Sequence, residues 1–125
     1  KALCRNGRLI TIFGCGGDRD RTKRPIMGEA AARYSDLCLV TSDNPRSENP
    51  SEIIKEILVG IDKTDACYKV EENRRKAIKL AMSIAEKDDI ILLLGKGHET
   101  YQEINGVKHH LDEREVVAAY LEEMR

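Results

Sequence analysis

The chain contains no tryptophan, one phenylalanine and four tyrosines among 125 residues. With aromatics at 4%, it has little of the stacking surface that single-stranded nucleic acid requires. Its longest apolar run is residues 90–94, far short of the roughly 20 residues that cross a bilayer as a helix. No secretory hydrophobic region opens the chain. Net charge is only −1, so overall electrostatics name no partner. Cys4, Cys15, Cys38 and Cys67 lie far apart without CxxC or CxxH spacing, which argues against zinc and redox motifs. They read as reduced thiols of a cytoplasmic protein. GxGxxG and GxxxxGK[ST] are both missing, so a dinucleotide fingerprint and a Walker A loop are excluded.

What is present describes a soluble globular chain, 41% hydrophobic and 34% charged, of a length that builds one domain around one core. Bases are concentrated early: Lys1, Arg5, Arg8, Arg19, Arg21, Lys23 and Arg24 stand against only Asp18 and Asp20 in the first 24 residues. Such a face suits a nucleotide or an anionic metabolite, and it is equally the pattern of a solvated surface.

Strand and helix signals alternate along the chain. Residues 8–13, 37–41 and 89–94 are short apolar runs with strand character, the last unbroken as in a parallel strand buried on both faces. Pro25 opens a helix to about Tyr34, and Asn49 followed by Pro50 caps a second helix through Ile61. Residues 68–70 form a short strand, after which Asn73 caps a third helix. The pair Asn105 and Gly106 turns a hairpin between residues 102–104 and 107–109. A final helix starts at Asp112 with a capping-box pattern to Glu115 and presents Val116, Val117, Ala119, Tyr120 and Leu121 to the core. This order predicts an α/β fold: a small, Rossmann-like, mostly parallel sheet flanked by helices, with a short hairpin near the carboxy-terminal end.

Three loops follow the apolar strands, and all carry chemistry. They are Gly-Cys-Gly-Gly-Asp-Arg-Asp-Arg-Thr-Lys-Arg at 14–24, Asp-Asn-Pro-Arg at 43–46 and Gly-Lys-Gly-His-Glu at 95–99. In a parallel sheet they converge on one edge, where Arg19, Arg46 and Glu99 would surround a small zwitterion with two cations and one anion. Arg46, stiffened between Pro45 and Pro50, has a planar fork suited to a carboxylate or phosphate. His109 and His110 are neighbours in a predicted strand and point to opposite faces, so they do not share a metal.

Together, in this order, the three loops resemble those of the carboxy-terminal domain of the Mur ligases, and among these the branch that adds meso-diaminopimelate. The resemblance covers nearly the whole chain. It implies that residues 1–125 are one amino-acid-binding domain of a three-domain ligase whose uridine-binding and central ATPase domains are absent here. The start at Lys1, without an initiator Met, is expected of a piece of a longer protein, which would make no product alone. The implied reaction is ATP-dependent amide formation between meso-diaminopimelate and UDP-MurNAc-L-Ala-D-Glu, through an acyl phosphate, in the bacterial cytoplasm during peptidoglycan synthesis. ATP and Mg2+ would be held mainly by the absent central domain, with no nucleic acid or membrane as partner.

Carried over by position, the resemblance gives diaminopimelate binding to Arg19, Asn44, Arg46, Gly95 and Glu99, with Asp43 and His98 beside them. Arg46 would grip the distal carboxylate, while Gly95 and Glu99 receive the distal ammonium. Relatives that add lysine lack this arginine. Asp18, Lys23 and Arg24 resemble positions that face the nucleotide. No catalytic or metal-ligating residue is expected in this chain. The alternatives are a nucleic-acid-binding module on the basic face, or a stand-alone nucleotide-binding Rossmann-like domain.

Overall fold

The computed structural model describes residues 7–94 and 101–123. Four strands, β1 (Leu9–Phe13), β2 (Leu37–Val40), β3 (Cys67–Val70) and β4 (Ile90–Leu93), form a sheet of order β3-β2-β1-β4. All its pairings are parallel. Helices α1 (Lys23–Tyr34), α2 (Pro50–Ile61) and α3 (Arg74–Ile84) connect successive strands. Strands β5 (Tyr101–Ile104) and β6 (Val107–His110) make a separate antiparallel hairpin, followed by α4 (Glu113–Glu123). The α/β class with a parallel sheet and a late hairpin is therefore as expected.

The period-two alternation of a strand divides the core in two. Ile10, Ile12, Leu37 and Leu39 face Ala77, Ile78 and Ala81 of α3 and Val116 of α4. On the opposite face, Phe13, Cys38 and Val40 pack with Ala32 of α1 and Ile53, Ile54, Ile57 and Ile61 of α2. Helices α1 and α2 also meet backbone to backbone. A Cβ on Gly28 would stand 2.3 Å from Ile57 O, and one on Gly60 only 1.7 Å from Pro25 O. Only glycine permits that approach.

Local signals act as anticipated at the caps and the turn. Asn49 Oδ1 accepts from the Ser51 amide at 2.9 Å ahead of Pro50, and Asn73 Oδ1 accepts from the Lys76 amide at 3.1 Å. Asn105 (φ 50°) and Gly106 (φ 78°) both occupy the left-handed region that a tight hairpin turn requires.

Three expectations need correction. Strand β4 is not sandwiched: it is the sheet edge, and Leu92 and Leu94 are each 41% exposed. A continuous apolar run measures hydrophobicity, and strand order is set by which crossovers close. In α4, Val116 is buried and Val117 half-buried, whereas Ala119 and Leu121 lie on the exposed side. Glu115 does not close a capping box, since its carboxylate meets His110 Nε2 at 2.7 Å, and Asp112 Oδ1 accepts from the Arg114 amide instead.

Candidate functional site

The parallel sheet sends the carboxyl ends of β1 and β2 to one edge, and the two loops leaving them are bonded to each other. The Gly17 amide donates to Asn44 O at 2.7 Å, and a Cβ on Gly17 would fall 1.8 Å from Pro45 O. The Asp18 carboxylate accepts from Ser47 Oγ at 2.6 Å and from the Ser47 amide at 3.3 Å, while the Asp18 amide donates to Glu48. Glycine 17 is thus required by the close approach of the two backbones.

Arg46 lies at the centre of this junction with φ +53°, a region a non-glycine residue occupies at a cost of about 1–3 kcal/mol unless its surroundings hold it there. Its backbone is held by the hairpin. The Arg46 amide donates to Glu103 O at 3.0 Å and Arg46 O accepts from the Asn105 amide at 2.7 Å. Its guanidinium donates through Nη1 to Gly17 O at 3.0 Å, and Nε lies 3.4 Å from Glu103 Oε1. Among the described residues Nη2 has no hydrogen-bond partner, and the side chain is 20% exposed at the site's edge. This leaves one side of the fork available to an anion.

Asn44 is buried and its Oδ1 accepts from the Glu103 amide at 2.8 Å, and Gln102 Nε2 donates to Asp43 O at 2.6 Å and Ser42 Oγ at 3.1 Å. The hairpin is therefore a third wall of the site. Sequence reasoning saw the hairpin but not this role, because nothing in residues 101–104 marks a partner about 60 positions away.

Arg19 is exposed and, among the described residues, donates only to Asp18 O, at 3.4 Å. It flanks Gly16 opposite Arg46: a Cβ at that glycine would stand 3.6 Å from Arg19 Cγ and 2.9 Å from Arg46 Nη1. Beside them opens a cleft of about 390 Å3 lined by Gly14, Gly16, Arg19, Lys23 and Asp43 among others. The first turn of α1 behind it contains no acidic residue, and Lys23 is exposed there. The lining mixes the cations of Arg19, Lys23 and Arg24 with the carboxylates of Asp20 and Asp43, and Asp20 Oδ1 already accepts from the Thr22 amide ahead of α1 at 3.0 Å. Gly95, His98 and Glu99 lie outside the described residues.

Arg24, expected to face the nucleotide, also lines this cleft, and its guanidinium is engaged within the protein. It is 1% exposed, with Nη1 donating to Glu48 Oε1 at 3.0 Å and Glu56 Oε1 at 2.9 Å, and Nη2 to Glu48 Oε2 at 2.7 Å and Gly16 O at 3.0 Å. The Arg24 bonds, with help from the Asp18 amide, hold the Glu48 carboxyl down at about 2. Glu56 is lowered as well, first by Arg21 and then by Arg24. Asp18 likewise turns its carboxylate into the loop junction, onto Ser47. A second arginine that sequence reasoning passed over, Arg74, is also buried. It joins Ser42 O (3.2 Å), Leu94 O (2.7 Å) and Glu113 Oε2 (2.7 Å).

Cys15, inside the glycine loop, is buried, and that burial pushes its thiol up to about 11. Cys15, Cys38 and Cys67 are free thiols. Among the described residues no group of three or more His, Cys, Asp or Glu side chains is placed to hold a metal ion.

Comparison with known proteins adds an independent line. The family model described as "Mur ligase, glutamate ligase domain" matches residues 1–97. The chain is 59% identical over 118 residues to the UDP-N-acetylmuramoyl-L-alanyl-D-glutamate--2,6-diaminopimelate ligase 1 of Clostridium acetobutylicum, covering 94% of this chain and 24% of that protein. It is 54% identical over 115 residues to the ligase of the same name, without the number, from Aquifex aeolicus, covering 92% and 24%. A solved structure of a UDP-N-acetylmuramoyl-L-alanyl-D-glutamate--2,6-diaminopimelate ligase, 43% identical, matches with a TM-score of 0.90 over 97% of this chain and 25% of its own. The chain thus spans about a quarter of the length of these relatives. With a family model over most of its length and a fold shared at this identity, the chain belongs to the Mur ligase family.

Proposed function

We propose that this chain is the amino-acid-binding, carboxy-terminal domain of a ligase that joins meso-diaminopimelate to UDP-MurNAc-L-Ala-D-Glu in the bacterial cytoplasm. The observation that carries this reading is Arg46: a guanidinium fixed in an unusual backbone conformation at the carboxyl edge, with Nη2 open among the described residues. Its fork would take the distal carboxylate of diaminopimelate in a charge-assisted bond. Arg19, across Gly16, would face the same ligand. Asn44 and Asp43 would hold the loop in register through the hairpin. Gly95, Glu99 and His98, from the loop after β4, would receive the distal ammonium.

These roles are binding and orientation. The chain's residues would point the reacting amine of diaminopimelate at the D-glutamyl side-chain carbonyl, which converts an encounter into a positioned reaction. ATP, with Mg2+, would supply the phosphoryl group that activates that carboxylate, leaving as phosphate when the amide forms. Lys23 and Arg19, beside the cleft, would offer cations to a phosphate tail. The uridine-binding and metal-binding parts are assigned to the remainder of the full-length protein.

Discrimination against lysine follows from desolvation. Lysine would leave Arg46 Nη2 without an anion while Glu103 stays on Nε, and losing one partner of a buried charge pair costs roughly 2–5 kcal/mol, less at this partly exposed group. The test compares kcat/KM of the full-length protein for meso-diaminopimelate and L-lysine, with and without Arg46→Ala. A strong preference for diaminopimelate that collapses in the variant supports the reading. Equal use of both amino acids by the unaltered protein, or a variant indistinguishable from it, defeats it.

A further inference from the structure

Arg46 needs more than its own bonds to stay where it is. Its positive φ is an unfavourable conformation for a side-chain-bearing residue, and such conformations persist only where surrounding structure over-determines them. Two supports flank it. On one side the glycine loop passes so close that a Cβ on Gly16 would press on Arg46 Nη1 at 2.9 Å. Gly17 O accepts from Arg46, and the Gly17 amide donates to Asn44 O. On the other side, two residues on, Glu48 leads into α2.

Arg24 holds both supports at once. It projects from the first turn of α1, donates to Gly16 O at 3.0 Å and takes both oxygens of Glu48, at 3.0 and 2.7 Å. Glu56 of α2 accepts from the same guanidinium at 2.9 Å, which fixes the fork from a third direction. The Asp18 amide, on the glycine loop, donates to Glu48 too, closing the clamp. Because α1 and α2 touch backbone to backbone at Gly28 and Gly60, the clamp rests on a rigid base.

We propose that Arg24 is a positioning residue for substrate selection: by clamping Gly16 to Glu48 it keeps Arg46 in its left-handed conformation, aimed at the distal carboxylate. The proposal rests on the reading of Arg46 given above. Arg24 touches no ligand in this role. Lysine cannot replace it, since an ammonium is a point charge without the planar fork that reaches a carboxylate and a carbonyl together.

The test uses the full-length protein carrying Arg24→Lys, Arg46→Ala, or both, with KM and kcat measured separately for meso-diaminopimelate, ATP and UDP-MurNAc-L-Ala-D-Glu. Arg24→Lys is expected to raise KM for diaminopimelate about tenfold, because a displacement of about 1 Å at a binding group can cost on the order of a hundredfold. Its KM for ATP stays unchanged, and its preference for diaminopimelate over lysine weakens. The double variant discriminates no worse than Arg46→Ala alone, since Arg24 acts through Arg46. A raised KM for ATP with diaminopimelate unaffected would return Arg24 to the nucleotide and overturn the proposal. So would a lowered Tm with every KM unchanged, the signature of a purely structural ion pair. Should Arg24→Lys not fold, Glu48→Gln keeps the shape and halves the clamp's charge. The same rise in KM for diaminopimelate is expected there, and its absence refutes the clamp. If Arg46→Ala itself leaves discrimination intact, it is the reading of Arg46 that fails, and the single variants tell the two failures apart.

Discussion

Arg74 Nε and Glu113 Oε2 meet at 2.7 Å, with the arginine side chain wholly shielded from solvent and the glutamate 10% exposed. The remaining nitrogens of the same guanidinium end on Ser42 O and Leu94 O, the positions just before residues 43–46 and 95–99. One side chain thus ties the carboxyl ends of β2 and β4 to the start of α4, across the width of β1.

Removing that arginine leaves a buried carboxylate and two carbonyls without their donor. Arg74→Met is expected to destabilise the fold by roughly 3–5 kcal/mol, the usual result of breaking one side of a buried ion pair. Adding Glu113→Leu should recover part of the loss, because the orphaned charge is then gone as well. Urea denaturation of the single and double variants measures this, and a double variant no more stable than Arg74→Met alone would contradict it.

Neighbouring glycines make opposite predictions. A Cβ at Gly17 collides with Pro45 O at 1.8 Å, which is backbone and cannot yield cheaply. Gly17→Ala should therefore lower stability by about 1–3 kcal/mol, as overpacking does. At Gly16 the obstacle at 2.9 Å is Arg46 Nη1, the tip of a flexible side chain. Gly16→Ala should leave Tm nearly unaltered and weaken the preference for diaminopimelate over lysine. Thermal melts alongside substrate kinetics separate the two effects.

Acid should unfold this domain through its paired carboxylates. Glu48 sits at about 2 in the fold against 4.5 as its ordinary value. A folded value below the unfolded one means its contribution is complete above pH 4.5 and fades as pH falls toward 2. Asp89 follows the same direction, also at about 2, held first by the Glu86 and Arg8 amides and then by the Arg8 side chain. Melting temperature plotted against pH should fall across this window. The fall should be shallower in Glu48→Gln, with Asp89, Glu56, Asp20 and Asp112, all lowered, supplying the remaining slope.

The cysteines should differ in reactivity. Cys15 is buried with its thiol pushed to about 11, and Cys38 is raised for the same reason, desolvation. Cys67 is exposed on β3. Since the thiolate is the nucleophile, iodoacetamide at about pH 8 should alkylate Cys67 in the native protein and spare Cys15 and Cys38. Mass spectrometry of the labelled peptides reads the outcome, and rapid labelling of Cys15 would mean the glycine loop opens.

Much of this fold was legible in the sequence because its signals are local. Asn49 and Pro50, Asn73, and the Asn105–Gly106 pair act on backbone within a turn of themselves, and strand runs separated by helical periodicity admit few topologies. The order of the loaded loops was legible for the same reason, since the carboxyl end of a parallel strand is a place defined by the chain's direction. Exposure of β4 was not, because an apolar run carries no record of how many neighbours its strand acquires.

The buried arginines mark the boundary most clearly. Arg24 was expected to face a nucleotide and Arg74 carried no expectation, since an isolated guanidinium is costly to bury and nothing local marks its partner. Their partners lie 24, 32 and 39 residues away, at Glu48, Glu56 and Glu113, and no spacing rule links them. The sequence by itself determined which segments become strands and helices, and that the loops after β1 and β2 leave one edge of the sheet. Only the tertiary structure decided which charges stay exposed at that edge and which are buried as braces. That choice depends on desolvation and on geometry to within a few tenths of an ångström, and both exist only once the chain has folded.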